Sequence, residues 1–173
     1  MRTADGHAMK LEEFSLIADF GSWDEPLFES STLEDDTLNA FRALEDNSEV
    51  LPSKDTDFAV FDAYPFLTVN GFRIALSMIV RTTVLEGATY QMAADALIDE
   101  LAGTAEKGQE RIRWRDPFWQ RWSSLDDAQI DTVKKWLNFA QRELDLLTPS
   151  EFAKCSASLS WIKVNRKRST IVL

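Results

Sequence analysis

The sequence predicts a mostly α-helical single domain, a bundle of five or six helices around a central apolar helix at about 67–86, with any strands short. Three observations carry that expectation. The stretch from Tyr64 to Glu86 is the most apolar in the chain. Its Phe72, Ile74, Ala75, Leu76, Met78, Ile79, Val80 and Val84 spread round most of a helical cylinder, as suits a helix covered on several sides. A single helix-start device then occurs twice, at Leu125–Ile130 and Leu147–Phe152. In the first copy Asp126 is the N-cap, Gln129 answers it from N3, and Leu125 staples onto Ile130. In the second Thr148, Glu151 and the Leu147–Phe152 pair take these parts, with Pro149 at N1. Upstream, Ser31 and Thr32 precede Glu34, Asp35 and Asp36, a hydroxyl cap followed by carboxylates at the positive end of a helix dipole.

Residues 1–9 lack the apolar run of a secretory signal and are expected to be mobile. Leu11, Phe14, Ile17 and Ala18 recur at helical spacing before Gly21, and Trp23 to Phe28, with Pro26, reads as a loop. A helix from about Leu33 to Glu45 turns Leu33, Leu38, Phe41 and Leu44 inward, and 46–57 is an exposed polar connection. Phe58, Val60, Phe61, Tyr64 and Phe66 are expected to fold against the first turns of the central helix. Gly87 ends that helix, Thr89 caps another through Leu101, and Gly103 ends this one in turn. The Asp126-capped helix runs to about Leu146 and the Thr148-capped helix to about Lys163. The alternation of Ser158 to Trp161 offers a strand reading, but the cap favours helix. Asn165-Arg166-Lys167-Arg168 opens a basic tail over 165–173.

Charge is distributed unevenly. Residues 1–70 hold 16 acidic and 4 basic side chains, net −12, and residues 71–173 hold 13 and 15, net +2. The negative half repels phosphates, so nucleic acid is not an expected partner, whereas a basic protein would be steered towards it. Asn70, Arg73 and Arg81 interrupt every apolar window long enough to span a bilayer, so no membrane span is expected. The single cysteine, Cys155, precludes an intrachain disulfide and fits a reducing, cytoplasmic location.

Catalytic inventories are thin. His7 is the one histidine, so a Ser-His-Asp or Cys-His arrangement would have to rest on the N-terminus, and a Cys/His zinc site has no ligand set. Neither the dinucleotide fingerprint nor a phosphate-binding loop is present. No enzyme, cofactor or metal is therefore expected. Asp95 and Asp99 lie one helical turn apart, a spacing that metal carboxylates share with ordinary solvated helix faces; the solvated face is the simpler reading. Arg111 to Trp122 interleaves cations with rings, as a stacking surface would. The structural alternative sends Trp114, Phe118, Trp119 and Trp122 to the core while the arginines pair with the acidic half. Asn70, Arg73, Ser77 and Arg81 form a polar stripe on the central helix. Arg73 and Arg81 there either bind an anionic group or pair internally with carboxylates such as Asp57 or Asp62, and the second reading is favoured.

Ala63-Tyr64-Pro65-Phe66-Leu67, the apolar helix, and then Trp122 to Ile130 with Val133, Trp136 and Leu137 together resemble a family of small uncharacterised bacterial helical proteins. The likeness covers about 63–144 and transfers no catalytic residue. In acidity, compactness and lack of catalytic motifs the chain also resembles bacterial immunity proteins. That resemblance implies a non-enzymatic protein that neutralises a basic cognate toxin. The residues expected to bind it are Asp24, Glu25, Glu34, Asp35, Asp36, Glu45, Asp46 and Glu49, with Trp23 and Phe28 as aromatic anchors. Two alternatives stay open: a small-ligand or anion-binding domain using Arg73 and Arg81, and a homo-oligomeric subunit, a homodimer being the simplest.

Overall fold

A computed structural model of the chain describes residues 26–28, 60–87, 91–106 and 116–169. The helices expected at 10–20 and 33–45, the connection 46–57 and residues 1–9 lie outside these. Among the described residues the protein is helical, with no sheet and one isolated antiparallel bridge between Phe28 and Leu67. A 3-10 turn at Tyr64–Phe66 is followed by α1 (Val69–Glu86), α2 (Met92–Glu106), α3 (Pro117–Ser123), α4 (Asp127–Glu143) and α5 (Pro149–Ser169). The mostly α-helical expectation thus holds, with an apolar α1 at its predicted place. The chain forms two compact units, Met1–Ala96 and Leu97–Leu173, divided inside α2.

In the first unit, α1 buries Phe72, Ile74, Ala75, Leu76, Ile79, Val80 and Val84, so apolar side chains cover most of its circumference as their spacing predicts. The buried hydroxyls of Thr82 and Thr83 donate to the carbonyls of Met78 and Ile79, at 2.7 and 2.8 Å, so neither is stranded in the core. Gly87, at φ 70°, ends the helix, its N–H returning to the Thr83 carbonyl.

The second unit is tied together by pairs whose order fixes helix direction. Asp131 and Asp127 of α4 meet Lys163 and Arg166 of α5, residue numbers falling on one helix as they rise on the other, so the two run antiparallel. On the opposite sense, Cys155 and Ser158 of α5 lie over the carbonyls of Ile98 and Leu101 in α2, both numbers rising together, so these helices run parallel. Trp122, Leu125, Ile130, Val133, Trp136, Leu137, Leu159 and Ile162 fill the space between, all buried. Trp119 meets Trp161 edge to face, ring centroids 5.2 Å apart, which seats α3 on α5.

Both repeated caps form as predicted. Asp126 accepts from the Gln129 N–H while the Gln129 side chain accepts from the Asp126 N–H, and Glu151 accepts from both the N–H and the hydroxyl of Thr148.

Four boundaries differ from expectation. α2 begins at Met92, its first helical bond running from the Asp95 N–H to the Gln91 carbonyl, so Gln91 and not Thr89 stands at the cap position; Thr89 itself lies outside the described residues. Gly103 lies inside α2, not at its end, because a lone glycine is tolerated where apolar neighbours hold the helix. α4 stops at Glu143, short of Leu146: Asp145 takes the left-handed conformation, φ 55°, and the Leu146 N–H returns to the Ala140 carbonyl. α5 continues to Ser169, past Lys163, so the first part of the basic tail is helical. Lysine and arginine favour helix, and Arg166 is anchored on Asp127 at 2.6 Å.

Candidate functional site

Three places hold polar or exposed side chains that a helical core alone does not require. The first is the start of α1. Thr68 caps it, its hydroxyl accepting from the Gly71 N–H at 3.0 Å and donating to the Pro26 carbonyl at 2.7 Å, while its own N–H donates to the Leu27 carbonyl at 3.0 Å. Residues 26–28 therefore lie as a strap across the helix start. Gly71 makes this possible: a Cβ there would sit 2.0 Å from the Leu27 carbonyl oxygen.

Just upstream, residues 60–63 are helical and run into the 3-10 turn. Val60, Ala63, Tyr64 and Leu67 are buried, and Tyr64 packs edge-on against Phe72, centroids 6.4 Å apart. Phe61, Asp62, Pro65 and Phe66 are exposed. The expectation that Phe61 and Phe66 fold onto the central helix is thus corrected, because the inward face of this turn is already filled.

The second place is the polar stripe of α1. Asn70 is buried, while Arg73, Ser77 and Arg81 are half-buried and engaged, and the Nε atoms of both arginines are sealed from solvent. A guanidinium so enclosed is part of the fold as much as a surface charge.

The third is a cluster in the second unit. Arg121, 6% exposed, forms an ion pair through Nη2 with Oε1 of Glu100, and Oε2 of Glu100 accepts from the Trp122 indole N–H at 2.8 Å. The carboxylate binds α3 to α2 with both oxygens occupied. Arg121 thus pairs with Glu100 of its own unit, where the sequence expectation paired the arginines of this segment with the acidic N-terminal half. One signal was available: Leu97, Glu100, Leu101 and Thr104 share a face, which puts Glu100 on the apolar stripe of α2. Phe118, Trp119 and Trp122 are core side chains, so the Arg111–Trp122 segment offers no stacking platform through these three rings; Arg111 to Arg115 lie outside the described residues.

Two titratable groups have displaced pKa values with structural causes. The Thr148 N–H and hydroxyl that Glu151 accepts at the α5 cap hold its carboxyl below the usual value. Burial, assisted by the nearby Glu151 charge, pushes the Cys155 thiol up to about 12, which keeps it protonated and unreactive. Among the described residues no group of three or more His, Cys, Asp or Glu side chains is arranged to hold a metal, and no helix is long and apolar enough to cross a membrane. Of the residues expected to bind a partner, Phe28 is half-buried and bridged to Leu67; Trp23, Asp24, Glu25, Glu34, Asp35, Asp36, Glu45, Asp46 and Glu49 lie outside the described residues. No protein family, characterised protein or solved structure matches the chain.

Proposed function

We propose that this chain is a non-enzymatic acidic binding protein, a bacterial immunity protein that neutralises a basic cognate toxin by direct contact in the cytoplasm. The observation that carries this reading is where the charge falls. Met1–Ala96 holds 18 acidic and 6 basic side chains, net −12, and Leu97–Leu173 holds 11 and 13, net +2, so the imbalance belongs to one compact unit. A field of one sign on one unit speeds encounter with a cationic surface and holds it there. In the other unit acidic and basic side chains nearly balance, and three pairs of them meet: Arg121 with Glu100, Lys163 with Asp131 and Arg166 with Asp127. That unit is read as support, the acidic one as the contact.

Pull-down from the native host is expected to recover a basic protein encoded beside this chain. Binding should weaken as salt is raised and when Asp24, Glu25, Glu34, Asp35, Asp36, Glu45, Asp46 and Glu49 are changed to amides. Salt-insensitive binding, or undiminished affinity of the amide variant, would count against the proposal.

A further inference from the structure

We infer that Phe61, Asp62, Pro65 and Phe66 form the contact face for an arginine-bearing segment of a basic partner protein, an inference that rests on the binding role proposed above. Phe61 and Phe66 are 40% and 42% exposed, and Asp62 and Pro65 are exposed with them. These positions fall at i, i+1, i+4 and i+5, so on a helical backbone they share one face, while Val60, Ala63, Tyr64 and Leu67 occupy the other.

The segment cannot turn its phenylalanines inward, because the opposite face is committed. Tyr64 packs on Phe72, Leu67 is bridged to Phe28, and Thr68 is bound to the carbonyls of Pro26 and Leu27. Two rings are consequently held at the surface by a backbone already fixed, which lowers the ordering cost of binding.

The chemistry of the face selects its occupant. The face of an aromatic ring attracts a guanidinium, which also stacks flat on it, and Asp62 adds a carboxylate on the same side. The compact unit that contains this face is net −12 in sequence, which favours a cationic occupant over a second copy carrying the same negative charge.

The test uses the full chain with oligoarginine and oligolysine peptides of equal length as probes, comparing the native protein with a Phe61→Leu/Phe66→Leu variant. Leucine keeps the apolar contact and removes the ring, and circular dichroism checks that helicity is retained. The arginine peptide is expected to bind the variant about tenfold more weakly, with lysine-peptide binding changed by less than about twofold. If both peptides bind with salt sensitivity but the variant binds the arginine peptide as tightly as the native chain, the face is overturned and the acidic-binding proposal stands. If neither peptide binds at low salt, both are overturned. If light scattering shows the native chain self-associating and the variant monomeric, the occupant is a second copy and the inference is wrong.

Discussion

Replacing Glu100 with alanine leaves the Arg121 guanidinium, 7% exposed over its side chain, without its carboxylate and the Trp122 indole N–H without its acceptor. Breaking a largely buried pair from one side costs about 3 kcal/mol. Lys163→Ala, which removes an ion pair between a half-buried lysine and an exposed aspartate, should cost less than about 1 kcal/mol. Denaturant unfolding of the two variants measures the contrast, and equal losses would show that the Glu100 cluster is not a core contact. Cys155 gives a pH dependence whose sign follows from its raised pKa. Up to the ordinary thiol value of 9.0 the group is protonated in both folded and unfolded chains and contributes nothing to pH dependence. Above it the unfolded chain releases the proton while the folded chain keeps it up to about 12, so stability falls as pH rises through this window. Cys155→Ala should lose that part of the alkaline destabilisation, and the native thiol should resist alkylation until the chain is unfolded.

At the scale of elements, the start of α1 depends on a close approach that tolerates no side chain. Gly71→Ala drives a methyl group into the Leu27 carbonyl, so either the strap moves or the helix shifts, at a cost of about 2 kcal/mol or more. Thermal unfolding reads the loss, and hydrogen exchange at the Thr68 amide, which donates to Leu27, reports strap release. An unchanged melting temperature with a protected Thr68 amide would contradict this packing. The starts of α4 and α5 were legible in the sequence because a reciprocal cap is local: Asp126 with Gln129 and Thr148 with Glu151 stand three residues apart. The start of α2 was not, since Thr89 stands alone without such an answering residue and the helix begins at Met92. Helix ends were also less legible. The stop after Glu143 rests on Asp145 adopting φ 55° without a glycine to announce it, and Gly103 sits in mid-helix because tertiary packing overrides its propensity. Glu100 was missed for a related reason, since its partner lies 21 residues away on α3 and no local spacing reveals such a pair.

At the scale of the whole molecule, the helical class and the apolar α1 were legible because they depend on periodicity summed over many residues. The strap of residues 26–28 and the outward turn of Phe61 and Phe66 were not, because both depend on which segments compete for the same covered face. The charge division was legible at once, and it falls within one compact unit. The central claim is that this acidic unit holds a basic partner. It is tested most directly by titrating the chain with the basic protein encoded beside it across a series of salt concentrations, for the native sequence and the eight-residue amide variant. Affinity should fall steadily with salt in the native chain and start lower, with a shallower slope, in the variant. Equal affinities with no salt dependence would contradict the account.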